Sequence, residues 1–322
     1  MSRSGVGQVT LYHSVLDLIG NTPLVELRSF APRPGVHVYA KLEGQNPGGS
    51  VKDRIAKYMI ETAERAGAIK PGDTILEPTS VNTGIGLALI GRIKGYHVVC
   101  VMPENVSEER TQLLHAFGAE IVYTPGELGS NGAIAHAKEI VAENPGRYFF
   151  PYQYGNEANP RAHYETTGPE ILRDLPQTTA FVAGLGTGGT LTGTGRYLKE
   201  KNPAIKVIAA APHPGDAVQG LRALEEGFIP PIFDETVLDA KIVVDSRSSF
   251  AMAKELTHKE GLFVGVSCGS VLKAALRAAE RLEGEQHIVC LMPDGGWKYL
   301  SSNLWTTDWE DQPESVESKI WW

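Results

Sequence analysis

Three stretches of the chain pair reactive side chains with backbone suited to binding charge. In the first, Asn46-Pro47-Gly48-Gly49-Ser50-Val51-Lys52-Asp53-Arg54, a glycine-bearing loop gives way to a helical pattern of apolar residues from Ile55 to Ala66, so Lys52 falls in the first turn. A cation there opposes the helix macrodipole, which favours the neutral amine, the form that attacks a carbonyl carbon. A Schiff-base lysine is one reading. A solvated lysine paired with Asp53 is the other.

The second stretch is Phe181-Val182-Ala183-Gly184-Leu185-Gly186-Thr187-Gly188-Gly189-Thr190-Leu191-Thr192-Gly193, an apolar run, then glycines and threonines, then a helical pattern to Lys201. Strand, glycine-rich turn and helix N-terminus leave backbone amides free to cradle a phosphate. The strand that follows, Lys206 to Ala210, runs into Ala211 and Pro212 without the acidic residue a dinucleotide ribose needs, and no Lys-Ser or Lys-Thr pair closes the loop as in a nucleoside-triphosphate site. A single phosphate on something other than a nucleotide remains, against a purely structural turn. The third stretch, Glu77-Pro78-Thr79-Ser80-Val81-Asn82-Thr83-Gly84, stands between the apolar run Thr74 to Leu76 and a helical pattern from Gly86 to Lys94. Its hydroxyls and amide, beside free helix N–H groups, can bind a carboxylate, or cap the helix. An amine, a cradle for one phosphate and a seat for a carboxylate together describe pyridoxal 5′-phosphate acting on an amino acid.

The elements that would position these loops alternate along the chain. Strand-like His97–Met102 and Glu120–Tyr123 are followed by helical stretches, Glu108–Phe117 and Ala133–Val141, which predicts parallel sheets with helices on both faces, an α/β fold. The 322 residues suffice for two lobes with their own cores, and a net charge of −8 with no Lys/Arg block argues against a nucleic-acid partner. Three scattered cysteines point to a reducing compartment, with Cys100 and Cys290 expected as buried thiols and Cys268 as a packed small residue. With no apolar run near 18 residues and a polar start from Met1 to Gln8, no membrane segment and a cytoplasmic location are expected.

Asn-Pro-x-Gly-Ser-x-Lys-Asp-Arg, Glu-Pro-Thr-Ser-x-Asn-Thr-Gly, Gly-x-Gly-Thr-Gly-Gly-Thr and a later Gly-x-Ser-x-Gly, in this order, resemble the cysteine synthase group of pyridoxal-phosphate enzymes, a fold type II, tryptophan synthase β-like family. The likeness takes in Ile19-Gly20-Asn21-Thr22-Pro23-Leu24-Val25 and extends from about residue 14 to Ser301. It implies a two-lobed α/β molecule: residues 1–45 plus 156–310 as a large cofactor lobe, 46–155 as a smaller mobile substrate lobe, and 311–322 as a C-terminal tail. Lys52 is then the Schiff-base lysine and the base that moves the substrate α-proton. Gly186, Thr187, Gly188, Gly189 and Thr190 form the phosphate cradle, Asn82 bonds the cofactor's 3′-oxygen and Ser267 partners the pyridine nitrogen. Thr79, Ser80, Thr83 and Gln153 hold the substrate carboxylate. A neutral hydroxyl at the ring nitrogen makes a weaker electron sink than an aspartate would, adequate for β-elimination.

The reaction implied is β-replacement on an activated L-serine, through an aminoacrylate, with a sulfur donor giving L-cysteine. Gln219-Gly220-Leu221-Arg222-Ala223-Leu224-Glu225-Glu226-Gly227-Phe228-Ile229-Pro230 is longer than the corresponding segment of O-acetylserine enzymes, and Arg222 with Trp297-Lys298-Tyr299-Leu300-Ser301 resembles the O-phosphoserine-using branch. A guanidinium suits a phosphate dianion better than an acetyl ester. A cystathionine β-synthase-like reaction with homocysteine and a catalytically silent regulatory homologue are the alternatives. The family also implies a homodimer and leaves open sulfide, thiosulfate or a sulfur-carrier protein as donor. Val81 stands where the family usually has glycine, and Ile320-Trp321-Trp322 on its acidic stalk is expected to fold into the mouth of the site.

Overall fold

The structure is a computed structural model, and it describes residues 11–79, 81–216, 218–224 and 228–307. Among the described residues, ten strands form two sheets. The larger has six strands: β1 (Leu24–Glu26), β2 (Val36–Leu42), β7 (Ala180–Gly184), β8 (Lys206–Pro212), β9 (Ala240–Val244) and β10 (Gln286–Met292), in the order β1-β2-β10-β7-β8-β9. Only the β1–β2 pair is antiparallel; the others run parallel. The smaller sheet contains β3 (Thr74–Pro78), β4 (His97–Pro103), β5 (Glu120–Thr124) and β6 (Tyr148–Phe149) in the order β5-β4-β3-β6, all parallel.

The apolar runs explain this arrangement. Parallel strands joined by helical crossovers are covered on both faces and read as unbroken apolar stretches rather than alternating ones. Accordingly β4 and β8 are buried from their second residue to their last. One face of the large sheet packs against α8 (Ser246–Glu260) and α9 (Val266–Ala279), through a core that includes Val38, Val182, Leu272 and Ile288. The other face packs Phe181 and Val289 against Leu191 and Leu198 of α7 (Gly189–Lys201). In the small sheet, α1 (Lys52–Arg65) and α2 (Asn82–Lys94) pack together over Ile75, Val98 and Cys100. Across it, α4 (Gly129–Glu143) places Ala133 and Ala137 on Leu76, Val99 and Val101. The remaining helices are α3 (Glu108–Ala116), α5 (Ala158–Ala162) and α6 (Gly168–Asp174), the last two joined by a π-helical turn, His163–Thr167.

The observed strands and helices begin and end within a few residues of the sequence expectation. Helix α1 starts at Lys52 itself and α2 at Asn82, so each reactive residue is the first of its helix. Cys100, Cys268 and Cys290 are buried free thiols, with Cys268 inside α9 rather than in a loop.

Candidate functional site

Both sheets end their strands toward one cleft, the place where open α/β sheets bind ligands. Just past β10, Val51 N–H donates to Pro293 O at 2.8 Å, and Ser50 bridges to Asp294. These bonds pin the glycine loop to the large sheet and put Lys52 at the strand ends. Arg54 anchors the same turn of α1, gripping Glu43 at 2.7 Å and Glu170 at 2.7 Å, while Lys41 reaches Glu170 at 2.7 Å. All four side chains are buried, so each charge needs its partner.

Lys52 lines the cleft, and among the described residues no hydrogen bond reaches its Nζ. Its pKa is lowered, chiefly by burial; Lys298 adds to the lowering, while Asp294 and Glu43 oppose it. The bias toward the neutral amine expected from the helix dipole therefore owes most to loss of water. Asp53 is no partner for it: its Oδ2 accepts Gly48 N–H at 2.5 Å, and burial raises its pKa to about 7.

A cavity of about 50 Å³ gathers Lys52, Asn82, Gly186, Gly188, Thr190 and Ser267, with Thr187 also in its wall. Gly188 is the N-cap of α7 at φ +82°, a conformation an L side chain rarely adopts, and a Cβ on it would lie 2.6 Å from Phe233 Cβ. The N-cap Gly188 has no side chain to cap α7, and apart from Gly189 N–H, which Thr187 takes, the N–H groups of the first turn are left for an anion. Gly189 lies outside the cavity wall, where a Cβ would meet Asn159 Oδ1 at 2.0 Å. Thr187 Oγ1 accepts from Asn159 Nδ2 at 3.2 Å and from Gly189 N–H at 3.3 Å, which sets the turn. Thr190 Oγ1 sits 3.2 Å from His163 Nε2, and burial drops the pKa of His163 to about 3. Ser267 is buried in the first turn of α9, its hydroxyl without a partner among the described residues.

A larger cavity, about 330 Å³, opens beside it and shares Lys52, Asn82, Gly186 and Thr187. Thr83 and Gln153 line it together, Thr83 Oγ1 donating to Gln153 Oε1 at 2.7 Å. Glu77 holds that corner by accepting Tyr152 N–H at 2.7 Å and Gln153 N–H at 2.9 Å; burial raises its pKa to about 8. Arg222 also lines this cavity, donating to Asn131 Oδ1 at 2.9 Å with its guanidinium 4.9 Å over Phe228 and 5.7 Å over Tyr154. Glu225 and Glu226, three and four residues after it, lie outside the described residues, as do Ser80 and the tail from Asp308 to Trp322.

Thr79 departs from expectation. It does not line either cavity; its hydroxyl accepts Val81 N–H at 2.8 Å and Gly84 N–H at 3.2 Å and so shapes the loop. Val81 is fully buried at φ +118°, the glycine conformation held by a β-branched residue.

Sequence reasoning missed the polar partners behind these groups: Glu77, Asn159, His163 and Asp294. It also missed Arg110, which donates to Gln219 Oε1 and stacks 4.4 Å over Tyr299. One signal was available for Asp294. It follows the apolar run of β10 directly, at the strand end where ligands bind.

The arrangement fits pyridoxal phosphate. A half-buried amine with no hydrogen bond among the described residues suits its aldehyde, the α7 amides suit one phosphate, and a Ser267 hydroxyl without a partner among those residues stands in the same cavity.

A sequence profile of pyridoxal-phosphate dependent enzymes matches residues 15–294. A cysteine synthase of Staphylococcus aureus (strain N315) is 45% identical over 304 residues, 92% of this chain and 97% of that enzyme. Among solved structures, cysteine synthase from Entamoeba histolytica superposes with a TM-score of 0.88 at 37% identity, covering 98% of this chain and 96% of its own. An O-acetylserine dependent cystathionine β-synthase from Helicobacter pylori superposes with a TM-score of 0.85 at 38% identity, covering 91% and 98%.

Proposed function

Because the chain belongs to the family of pyridoxal-phosphate dependent enzymes, we propose that it is a cysteine synthase, replacing the β-substituent of an activated L-serine with sulfur. The observation that carries the reading is Lys52, a half-buried amine without a hydrogen bond among the described residues, between an anion cradle and the Thr83–Gln153 corner. Bound there, pyridoxal phosphate supplies an aldehyde for amines and a conjugated ring that accepts the electron pair left when the substrate Cα loses its proton.

The residues act around that chemistry. Amides at the start of α7, with Thr190, hold the phosphate. Ser267 offers the ring nitrogen a neutral hydroxyl, and Asn82 a side-chain N–H to the ring oxygen. Thr83 and Gln153 bind the substrate carboxylate, which orients the Cα–H bond toward Lys52. Neutral Lys52 takes the Cα proton, and a sulfur nucleophile then adds at Cβ in place of the leaving group. Two contacts support closure against water: Ser107 Oγ donates to Lys298 O at 2.7 Å, and Ser301 Oγ to Glu109 Oε2 at 2.8 Å.

The division into a substrate lobe of 46–155 and a cofactor lobe of 1–45 plus 156–310 is part of this reading, supported by the four-stranded sheet lying wholly between Thr74 and Phe149. So are a homodimer, a sulfur-carrier protein as one possible class of donor, and a cytoplasmic setting, the last supported by three free buried thiols. No helix among the described residues is long and apolar enough to cross a membrane.

For the leaving group we favour phosphate, since Arg222 brings a cation to the wall of the larger cavity that also holds the Thr83–Gln153 corner. The experiment compares cysteine formation from O-phosphoserine and O-acetylserine, with sulfide, in the parent and in Arg222→Ala. Loss of a charged hydrogen bond is worth roughly 1.5–3 kcal/mol, so O-phosphoserine turnover is expected to fall about ten- to a hundredfold and O-acetylserine turnover far less. Equal losses return the enzyme to the acetylserine group. Product formed only with homocysteine as acceptor would instead support a cystathionine-forming enzyme.

A further inference from the structure

Asn82 is gripped from both sides by residues more than 200 positions away. Its Nδ2 donates to Asp294 Oδ2 at 2.8 Å, across a separation of 212 residues, and its Oδ1 accepts from Lys298 Nζ at 2.8 Å, across 216. Neither partner is a solvated surface group. Asp294 is 2% exposed and Lys298 5% exposed. Each is itself held: Tyr299 OH donates to Asp294 Oδ2 at 2.5 Å, and Lys298 Nζ also donates to Gly49 O at 3.1 Å in the loop that carries Lys52.

The chemistry of the two partners is what matters. A side-chain amide can present either its oxygen or its NH₂ group in a given direction, and only a rotation separates the two. Lys298 Nζ brings the hydrogen to its bond with Asn82, and Asp294 Oδ2, which also takes the Tyr299 hydroxyl proton, meets the amide as an acceptor, so this pair favours one orientation. The amide oxygen must meet Lys298 and the nitrogen must meet Asp294. One Nδ2–H is used by Asp294, which leaves the second as a free donor on a residue lining both cavities. A cofactor oxygen that carries negative charge needs that donor and would be repelled by the flipped oxygen.

On the assignment of the cofactor site proposed above, we infer that Asp294 and Lys298 are positioning residues for cofactor binding, which lock the Asn82 amide with an N–H directed at the ligand. They act through Asn82. The same two side chains face Lys52 with opposite sign, Asp294 raising and Lys298 lowering its pKa. Around Lys52 the other charged or titratable groups are Glu43 on the segment after β2, Asp53 and Arg54 on its own helix, and His163 on the π-helical turn.

The test is a double-variant cycle on the loaded enzyme, with pyridoxal phosphate as the probe and its dissociation constant measured by equilibrium dialysis. Lys298→Met is expected to weaken binding by about tenfold when Asn82 is present. In an Asn82→Ala background the same change is expected to matter by less than about twofold, because its target is gone. Lys298→Gln keeps a donor and is expected to recover most of the affinity; it also serves if the Met variant does not fold. As a second readout, Lys298→Met should shift the visible absorption band of the loaded protein and Lys298→Gln should restore it. Equal losses with and without Asn82 would overturn the inference and leave Lys298 a structural tie between loops. Failure of the parent protein to take up pyridoxal phosphate would refute the cofactor site itself, so the two failures are distinguishable.

Discussion

Val81 N–H donates to Thr79 Oγ1 at 2.8 Å, and this bond closes the loop before α2 while Val81 sits at φ +118° with its side chain fully buried. A β-branched residue in that region stores about 1–3 kcal/mol of strain. Burying the side chain returns about 1.5–3 kcal/mol, and a glycine would give up about 0.5–1 kcal/mol in chain entropy. Taken together the terms leave valine ahead by only about 1 kcal/mol. Val81→Gly is therefore expected to leave the melting temperature within a few degrees of the parent, while changing the apparent affinity for the amino-acid substrate through the adjoining Asn82–Thr83 turn. Substrate titration beside a thermal melt checks it, and unchanged kinetics would mean that the strain is not felt by the site.

Ser267 provides a prediction about the ring. Ser267→Ala is expected to weaken cofactor binding by about fivefold, the value of one neutral hydrogen bond. Ser267→Asp introduces an acceptor that holds the ring nitrogen protonated and makes it a stronger electron sink than β-elimination requires, so kcat should fall. A kcat unchanged with aspartate would place Ser267 away from the nitrogen.

His163 controls part of the acid limb of stability. Its folded pKa is depressed from 6.5 to about 3, first by burial and then by Arg54. The unfolded chain thus binds a proton below pH 6.5 that the folded chain refuses, and stability is lost as pH falls from about 6.5 toward 3, by up to about 1.4 kcal/mol per pH unit. His163→Gln can keep a bond to Thr190 and does not titrate. Denaturant melts between pH 7 and 4 should show a shallower decline for this variant; an equal slope in both proteins would mean that His163 is already protonated when folded.

What the sequence revealed follows from the range over which each group acts. Lys52, Asn82 and the glycine loop were legible because a helix start and its preceding turn are encoded within a few adjacent residues. The contacts that complete the site were not. Asn82 meets Asp294 and Lys298 across 212 and 216 residues, and such a meeting depends on which strand lies beside which. Thr79 looked like a carboxylate ligand because hydroxyls beside a helix start serve either purpose; its burial and its two backbone bonds decide for the loop. The neutral state of Lys52 was inferred from the helix dipole, whereas burial is the larger cause, a quantity that only the packed molecule supplies.

The central claim is that Lys52 is the amine that engages the cofactor, and another lysine, the buried Lys298, stands close enough to Asn82 to be a rival. Sodium borohydride reduction of the pyridoxal-phosphate-loaded protein, followed by proteolysis and mass spectrometry, locates the attachment directly. The account predicts that the visible absorption band is erased and that the cofactor mass appears on the peptide bearing Lys52, with no attachment in Lys52→Ala. Cofactor found on Lys298, or no covalent attachment in the parent protein, would contradict it.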